Sequence, residues 1–445
     1  MTTDALVQST VAGMAVVIGS GFLLGNLSRR LKQPAVIGQI LAGVILGPSL
    51  LGRLPGHVTA AVFPSKAVPS LSVVSQIALV LFLFAIGYEL DLGVVARHSR
   101  AIPIVSVLAF GLPFLLGSGS TSVFGSLYSS AGGSAAHRPA FAVFIGIAMS
   151  ITAVPVLAGI LRERGSADSL PAVVAMMSAG IIDVVGWGAL MVAVALNGHS
   201  STAGGHSLSV TVVLFCGYLL GMVVLVRPAL GWWLRRPGGR ERVGSSLIAA
   251  VAMASAWVTA ALGLHVIFGA FIAGVLTPRV RTATALVQPL RDAGDLLLPI
   301  FFVVSGLSMD VGALHAGDVA LLAVICAIAI SGKIGGGFLG SRASGLSGRD
   351  ATVVGVLLNT RGLTELIVLN VGLQDGLLSR RLFTVLVIMA LFTTALTSPL
   401  LSLMRFPSGA APVGDAAALR RVPDGMHTPS LEPAPPVPVS APRRP

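Results

Sequence analysis

The sequence predicts an all-α polytopic membrane protein, and three observations support this fold class. Hydrophobic residues make up 54% of the 445 residues, charged residues only 10%, and the mean hydropathy is +0.91, whereas typical soluble domains have about 25% charged residues. Apolar stretches of about 18 or more residues recur between Leu6 and Arg405, and roughly 20 helical residues cross a bilayer core. The third observation is a weak internal repeat, which is typical of membrane proteins built from two related halves.

Hydropathy predicts about thirteen transmembrane helices. The predicted spans cover residues 6–28, 34–52, 70–90, 101–119, 139–161, 171–197, 208–231, 243–262, 264–278, 292–309, 318–340, 351–373 and 382–404.

The basic residues in the connecting loops and near the ends of the spans predict the topology. With alternating spans, seventeen of them fall on one side and five on the other, which predicts an outside N-terminus and a cytoplasmic C-terminus in the cell (plasma) membrane. The net charge of +12 therefore reports orientation, and no nucleic-acid partner is expected. The larger set comprises Arg29, Arg30, Lys32, Arg97, Arg100, Arg162, Arg164, Arg227, Arg235, Arg236, Arg240, Arg242, Arg279, Arg281, Arg291, Arg342 and Arg349, and the smaller set comprises Arg53, Lys66, Arg138, Arg380 and Arg381.

The two ends of the chain differ in character. The first span follows Asp4 with no basic residue ahead of it, so it lacks the start of a cleaved signal peptide and is expected to be retained. Residues 1–406 form the predicted transmembrane domain, and the Pro- and Ala-rich residues 407–445 predict a disordered cytoplasmic tail. Cys216 and Cys326 lie in apolar spans without metal-ligand spacing, and we predict neither a structural metal nor a cofactor.

The internal repeat relates spans two and three to spans nine and ten. Both matches shift by seven spans, and because seven is odd the two copies would cross the membrane in opposite directions. Such an inverted repeat is common in secondary transporters, whose binding site lies near the membrane midplane between the copies. The alternative is chance similarity between Gly- and Ala-rich apolar segments. The matched pairs are Gly38/Gly269, Ala42/Ala273, Gly43/Gly274, Val44/Val275, Phe82/Phe301, Gly87/Gly306, Asp91/Asp310 and Gly93/Gly312.

Four charged residues, Asp183, Lys333, Arg361 and Glu365, lie in the interior of predicted spans, away from the span ends. A charge at the bilayer centre costs at least about 2.5–3.5 kcal/mol, so such residues usually face a cavity or a partner. Asp183 has apolar neighbours in the middle of span six. An ionised carboxylate binds a small cation and a protonated one is neutral, so a proton and a cation could compete for this group. The competing interpretation is a fixed ion pair with Lys333.

Polar interruptions at corresponding positions of two spans predict broken helices. Span five carries Ser150, Thr152 and Pro155, and the proline removes a backbone donor in mid-helix. Span twelve carries Asn359 and Thr360, followed by Arg361 and Gly362, at a similar depth. The free carbonyl and amide groups of broken helices can face an ion, although a simple kink or a packing glycine would give the same pattern.

The remaining charges are assigned supporting roles. Lys333 does not belong to a phosphate-binding loop, because Ile334 follows it where such a loop needs Ser or Thr. It is expected either to stabilise the core electrostatically or to compete with a transported cation. Arg361 and Glu365 stand four residues apart and would share one helix face, so we expect them to neutralise each other.

At these residues the chain resembles the monovalent cation:proton antiporter-2 family, which includes plant cation/H+ exchangers and bacterial potassium-efflux antiporters. The resemblance covers most of the membrane region but includes no soluble nucleotide-binding domain. It is carried by residues 33–34 through 47–48, 150–157, 265–271, 298–302, 305–307, 332–333 and 359–370.

The resemblance implies a specific architecture and specific site residues. A core domain near residues 101–197 and 318–404 would contain two crossed, broken helices and move in an elevator-like manner. A dimerisation or scaffold domain would lie near residues 6–90 and 208–309, so a homodimer is expected. Asp183 matches the family's essential ion-binding aspartate, and Thr152 and Pro155 match the crossing. Ile182 is a departure, since many relatives have Asp or Asn there.

The sequence thus predicts a secondary transporter that exchanges Na+ or K+ for protons. Asp183, Thr152 and Ser150 would bind the cation and the proton, and Pro155, Lys333, Asn359, Thr360, Arg361 and Glu365 would support them. Alternatives are a gated cation channel and a proton-coupled transporter of an organic solute. An enzyme is disfavoured, because the chain has no Asp-x-x-Asp-x-x-Asp or His-Glu-x-x-His motif.

Overall fold

The computed structural model describes residues 3–406, apart from 32, 54–62, 65–66, 90–100, 132–138, 168, 198–207, 236–240 and 263. Within this part every regular element is helical, which confirms the predicted fold class. The predicted tail, 407–445, lies outside the described residues, as do Asp91 and Gly93 of the repeat.

Seventeen α-helices follow one another through the described residues. Short 3-10 turns at Leu51–Arg53 and Val311–Ala313 and one π-helical turn at Met222–Val226 supplement them. The α-helices are α1 (Thr3–Arg30), α2 (Ala35–Leu46), α3 (Val68–Glu89), α4 (Ala101–Val123), α5 (Gly125–Ser130), α6 (Pro139–Ser150), α7 (Val154–Glu163), α8 (Leu170–Asn197), α9 (Leu208–Gly221), α10 (Arg227–Leu234), α11 (Glu241–Ala261), α12 (Val266–Leu276), α13 (Arg281–Leu307), α14 (Ala316–Ala343), α15 (Gly348–Leu358), α16 (Leu363–Gln374) and α17 (Arg380–Leu403).

Among the described residues, eight helices are individually long and apolar enough to cross a membrane. The bent pair α15–α16 gives a ninth span, and α2, α6 and α12 are shorter apolar helices. This confirms a multi-pass membrane protein, while the number of thirteen spans stays a prediction. Several predicted boundaries differ from the structure: the helix assigned to 292–309 begins at Arg281, the one assigned to 34–52 ends at Leu46, and the one assigned to 208–231 continues through a π-helical turn to Leu234.

The helices pack most closely within two groups. One group comprises α4–α8 and α14–α17, and we call these the core helices; the other comprises α1–α3 and α9–α13, and we call these the scaffold helices. In the core group α14 packs against α4 and α15, whereas in the scaffold group α3 packs against α12 and α13. The predicted division into a core domain and a scaffold domain stays a prediction, as do the roles of the two groups in movement and dimerisation.

Equivalent glycines pack in equivalent ways in the two repeats. A methyl group at Gly38 of α2 would collide with the Leu24 carbonyl of α1, and one at Gly269 of α12 would collide with the Ser255 carbonyl of α11. Further along the same helices, Gly43 abuts the backbone of α13 and Gly274 abuts the backbone of α3. Small residues let membrane helices approach this closely. The repeat found in the sequence therefore corresponds to one packing arrangement used twice.

Candidate functional site

The first of two helix interruptions lies between α6 and α7. α6 ends at Ser150, residues 151–153 are non-helical, and α7 begins at Val154. Pro155 is the second residue of α7, where the N–H that proline lacks would have no helical partner. The chain therefore breaks ahead of the proline rather than kinking around it, and the last carbonyls of α6 are left without intrahelical donors.

The second interruption lies between α15 and α16. α15 ends at Leu358, and α16 begins at Leu363 with its axis bent by 43°. Gly362 has a φ of 156°, which L side chains rarely adopt, and a methyl group there would lie 2.8 Å from Val156 Cγ2. Only glycine fits both the backbone and the space at this position.

The two interruptions cross and bond to each other. The Ala153 amide donates to the Thr360 carbonyl at 3.1 Å. The Thr152 hydroxyl donates to the Leu358 carbonyl at 3.2 Å, and the Thr364 hydroxyl donates to the Thr152 carbonyl at 3.3 Å. Each break thus satisfies backbone groups of the other, which a buried irregular segment requires.

Arg361 occupies the carboxyl end of α6. Its Nη1 donates to the Ala148 carbonyl and its Nη2 to the Met149 carbonyl, each at 2.6 Å. The same Nη1 lies 3.0 Å from Glu365 Oε1, and both side chains are fully buried. The guanidinium therefore meets both a carboxylate and the negative end of a helix dipole, which is a favourable place for a cation. The predicted pairing of these two charges is present, with a helix-capping role added.

Lys333 of α14 binds the same helix end from another side. Its Nζ donates to the Thr152 hydroxyl at 2.7 Å, to the Ala109 carbonyl at 3.3 Å and to the Ser150 carbonyl. The side chain is fully buried. Three acceptors use all three donors of the ammonium group. Because one of them is the Ala109 carbonyl of α4, this lysine links the crossing to α4 through hydrogen bonds.

Asp183 lies on α8 beside this crossing. Gly186, one turn further along the helix, packs against Ile151 in the first interruption, and Lys333 is near enough to interact electrostatically with the carboxylate. Asp183 is 4% exposed. Its Oδ1 has no hydrogen-bond partner among the described residues, and no ion pair with Lys333 forms there within 4.0 Å. The structure therefore holds a buried carboxylate oxygen that lacks a protein partner.

The other predicted site residues lie around the crossing with different orientations. The Ser150 hydroxyl donates to the Phe110 carbonyl at 2.9 Å, so the backbone carbonyl of this residue is the group that meets the lysine. Asn359 donates to the Thr393 carbonyl at 3.3 Å, and its Oδ1 has no partner in the described part of the chain. The Thr360 hydroxyl donates to the Leu357 carbonyl at the end of α15.

Sequence reasoning missed two threonines, Thr394 and Thr364, whose hydroxyls bond to the crossing. Thr394 of α17 accepts from the Arg361 amide at 2.9 Å and donates to the Arg361 carbonyl at 2.7 Å. The Thr364 hydroxyl bonds to the Thr152 carbonyl, whereas the neighbouring Thr393 contributes only its backbone carbonyl, because its hydroxyl bonds within α17. The available signal was a pair of adjacent threonines in an otherwise apolar span, since intramembrane hydroxyls usually bond between or within helices.

Aromatic and polar contacts join the site to the scaffold helices. Trp187, one turn from the aspartate, lies edge-on to Phe268 of α12 with ring centroids 5.9 Å apart, and 6.5 Å from the Phe271 ring. Asn370 of α16 donates to the Ser305 hydroxyl of α13 at 3.0 Å. No group of three or more His, Cys, Asp or Glu side chains suited to a metal ion occurs within the described ranges.

Two crossed, broken helices beside a buried carboxylate define a class of protein. Broken helices that expose backbone groups at a midplane site are the architecture of secondary transporters, and the chain has this architecture within a multi-pass helical membrane protein. The family whose model matches the chain is described as "Sodium/hydrogen exchanger, transmembrane", and the match covers residues 16–404. The chain belongs to this sodium/hydrogen exchanger family.

Similar proteins with assigned names agree with the predicted resemblance. The Na(+)/H(+) antiporter NhaS4 of Synechocystis is 37% identical over 406 residues, which cover 90% of this chain and 98% of that protein. The K(+)/H(+) antiporter 1 of Saccharomyces cerevisiae is 33% identical over 84% of this chain, and Cation/H(+) antiporter 20 of Arabidopsis thaliana is 37% identical over 86%. The chain spans 45% and 47% of the length of these last two relatives.

A solved structure has the same fold. The sodium proton antiporter MjNhaP1 of Methanocaldococcus jannaschii aligns with a TM-score of 0.69, covering 91% of this chain and 100% of that chain at 16% sequence identity. At this identity the likeness concerns the fold alone. It confirms that the helices described above adopt the fold of a known antiporter.

Proposed function

We propose that this protein exchanges Na+ or K+ for protons across the membrane, with Asp183 as the group that carries either ion. The observation that supports this role most directly is the unpartnered Oδ1 of a 4% exposed aspartate beside two crossed helix breaks. Family membership and the names of the relatives support the exchange reaction.

The chemistry follows from what a buried carboxylate tolerates. Ionised, it requires a compensating positive charge, because an unpaired buried charge is strongly unfavourable. Either a proton or an alkali cation can supply that compensation, and the two cannot share the group. A carrier that changes conformation only when this site is occupied therefore couples the two ion fluxes.

The two buried positive side chains near the site, those of Lys333 and Arg361, have partners other than the Asp183 carboxylate. Lys333 is engaged by Thr152 and two carbonyls, and Arg361 by Glu365 and the end of α6. Both positive charges are thereby held on the crossing. This arrangement favours the stabilising role of Lys333 and leaves Asp183 for the transported ion.

The cellular setting is part of the proposal. The asymmetry of the basic loop residues favours an outside N-terminus and a cytoplasmic C-terminus in the plasma membrane. A homodimer assembled through the scaffold helices is proposed from the family resemblance. The expected movement is a displacement of the core helices relative to the scaffold helices.

Transport by purified protein in proton-tight liposomes tests the function. An inward Na+ or K+ gradient should drive protons out of the lumen, and a pH-sensitive dye inside the vesicles reports the change. Asp183→Asn, which keeps the shape but cannot ionise, should abolish the response. Asp292→Asn removes an exposed carboxylate of α13 and serves as the matched control, which should transport normally.

Two results would count against the proposal. One is the absence of a response to any alkali cation between about pH 6 and 9, a range in which a carrier of this kind must exchange protons. The other is equal transport by the wild type and Asp183→Asn. Single-channel currents in planar bilayers would instead favour a gated channel.

A further inference from the structure

A groove on the scaffold helices is lined by none of the residues of the candidate ion site. The π-helical turn Met222–Val226 joins α9 to α10, and next to it a groove of about 520 Å³ opens towards the end of α12. Its walls include Val223, Pro228 and Pro278, and its polar groups come from Arg227 and Arg235. π-Helical turns frequently occur at functional positions, and no role assigned so far uses this one.

The two arginines are exposed and have no acidic counterpart in the groove. Neither Arg227 nor Arg235 forms an ion pair within the described part of the chain, and none of the described groove residues is Asp or Glu. A positive groove without a carboxylate is suited to an anion. Arginine is the side chain best suited to bind phosphate oxygens with two parallel hydrogen bonds.

The position of Arg227 indicates where that anion comes from. It lies inside the candidate membrane span Val213–Leu234, whereas Arg235 is the first residue after it. Along the same stretch Val224 and Leu225 are 55% and 69% exposed, as expected for a surface that faces lipid. An arginine on a lipid-facing surface needs an anion or a route to the headgroups.

The groove has the two chemical parts of a phospholipid. The two arginines are eight positions apart, which corresponds to about 12 Å along the helix axis and places both within reach of the headgroup layer. Trp232, which is 59% exposed, lies between them, and tryptophan is enriched at this depth. The valine and proline walls offer an apolar surface for an acyl chain.

We propose that this groove binds an anionic phospholipid, with Arg227 and Arg235 holding its phosphate and the apolar wall holding the start of an acyl chain. Charge complementarity and membrane depth favour a lipid over a free anion. The site is separate from Asp183, and it does not depend on which cation the protein exchanges.

Native mass spectrometry of the purified full-length protein tests this site. Phosphatidylglycerol and phosphatidylcholine with identical acyl chains are supplied in equal amounts, and the retained lipid is counted. The wild type should retain phosphatidylglycerol preferentially. Arg227→Gln/Arg235→Gln should lower that preference by roughly tenfold or more, since each basic group near the headgroups contributes a factor of several.

A control variant with the same change in net charge distinguishes lipid binding in the groove from a general effect of the protein's positive charge. Arg29→Gln/Arg30→Gln removes two exposed arginines from the end of α1 and should keep the preference. Both double variants should elute as the wild type does in size exclusion and transport cations, which shows that they are folded.

Three results would overturn the proposal. Equal loss of preference in both double variants would mean that only net charge matters. Competition by millimolar inorganic phosphate would identify a free-anion site. Unchanged lipid retention with a shift from dimer to monomer in the groove variant would assign the groove to a contact between two copies of the chain.

Discussion

Individual buried charges in this protein are distinguished by their partners. Arg361 and Lys333 both lie at the carboxyl end of α6, where five donor bonds reach backbone carbonyls or Thr152. Glu365 forms an ion pair with Arg361 through its Oε1. Asp183 has neither an ion pair nor a bond to Oδ1 among the described residues, which supports the proposal that it exchanges its counter-ion.

Arg361 should be the most sensitive of the supporting residues. Arg361→Met leaves Glu365 buried without its partner and removes the donors to Ala148 and Met149. Removing one member of a buried ion pair typically costs about 3–5 kcal/mol, and the melting temperature in detergent should fall by roughly 5–15 °C.

The matched control for this prediction is Glu365→Gln. Glutamine keeps the shape and an acceptor for Arg361, while the two carbonyls still bind the guanidinium, so the destabilisation should be clearly smaller. A double variant, Arg361→Met/Glu365→Leu, should recover part of the loss because it buries no unpaired carboxylate. If Arg361→Met melted at the wild-type temperature, the capping role inferred for the guanidinium would be wrong.

The elements of the core are held together by glycines at regular spacing. On α14, Gly332, Gly336 and Gly340 lie on one face, and each abuts the backbone of α4. Positions four residues apart share a helix face, so this row lets the two helices pack almost backbone to backbone. Since Lys333 extends from the same helix to the crossing, the close α4–α14 contact also sets where its ammonium group lies.

Alanine substitutions at the adjacent Gly335 and Gly336 should distinguish the effect of a methyl group on helix packing from its effect on helix propensity. A methyl group at Gly336 would collide with the Leu108 carbonyl and lie 3.0 Å from Ala109 Cα, whereas one at Gly335 would lie 3.5 Å from Leu112 Cδ2. Gly336→Ala should destabilise the protein by about 1–3 kcal/mol through overpacking. Gly335→Ala should be neutral or stabilising by about 0.5–1 kcal/mol, because alanine favours the helix.

Thermal unfolding in detergent and transport in liposomes are the measurements for this pair. Gly336→Ala should melt earlier and exchange cations more slowly, because α4 carries the Ala109 carbonyl that Lys333 binds. Gly335→Ala should behave as the wild type in both. Equal behaviour of the two variants would show that the backbone contact tolerates a methyl group and that the spacing has no special role.

At the scale of the whole molecule, sequence patterns predicted the architecture better than the bonding. Hydropathy located the helices, and the repeat of Gly38 and Gly269 predicted that α2 and α12 pack equivalently. Both helix breaks were found from short polar interruptions. The hydrogen bonds that Arg361 and Lys333 make at the crossing could not be predicted in this way, because they join residues more than 180 positions apart. Local spacing carries no information on such pairs, and for the same reason it left the possible Asp183–Lys333 ion pair open.

The proposed exchange requires the two helix groups to move relative to each other. In this structure Trp187 packs on Phe268 and Asn370 bonds to Ser305 across the boundary between the groups. If the core helices carry the ion across the membrane, contacts of this kind must break and reform in each cycle. A covalent link across the boundary should therefore stop transport without altering the ion site.

A reversible cross-link at the polar contact tests this movement. Asn370→Cys/Ser305→Cys is made in a background with Cys216→Ser and Cys326→Ala, which removes both native cysteines. A short thiol-reactive linker that contains a disulfide should abolish exchange, and reduction should restore it. The control pair is Tyr218→Cys/Ser255→Cys, whose native hydroxyls lie 2.6 Å apart within the scaffold helices; its cross-link should leave transport intact. Exchange at the wild-type rate by fully linked Asn370→Cys/Ser305→Cys protein would mean that the two groups of helices do not move apart at this boundary, and coupling would then have to arise from local changes around Asp183.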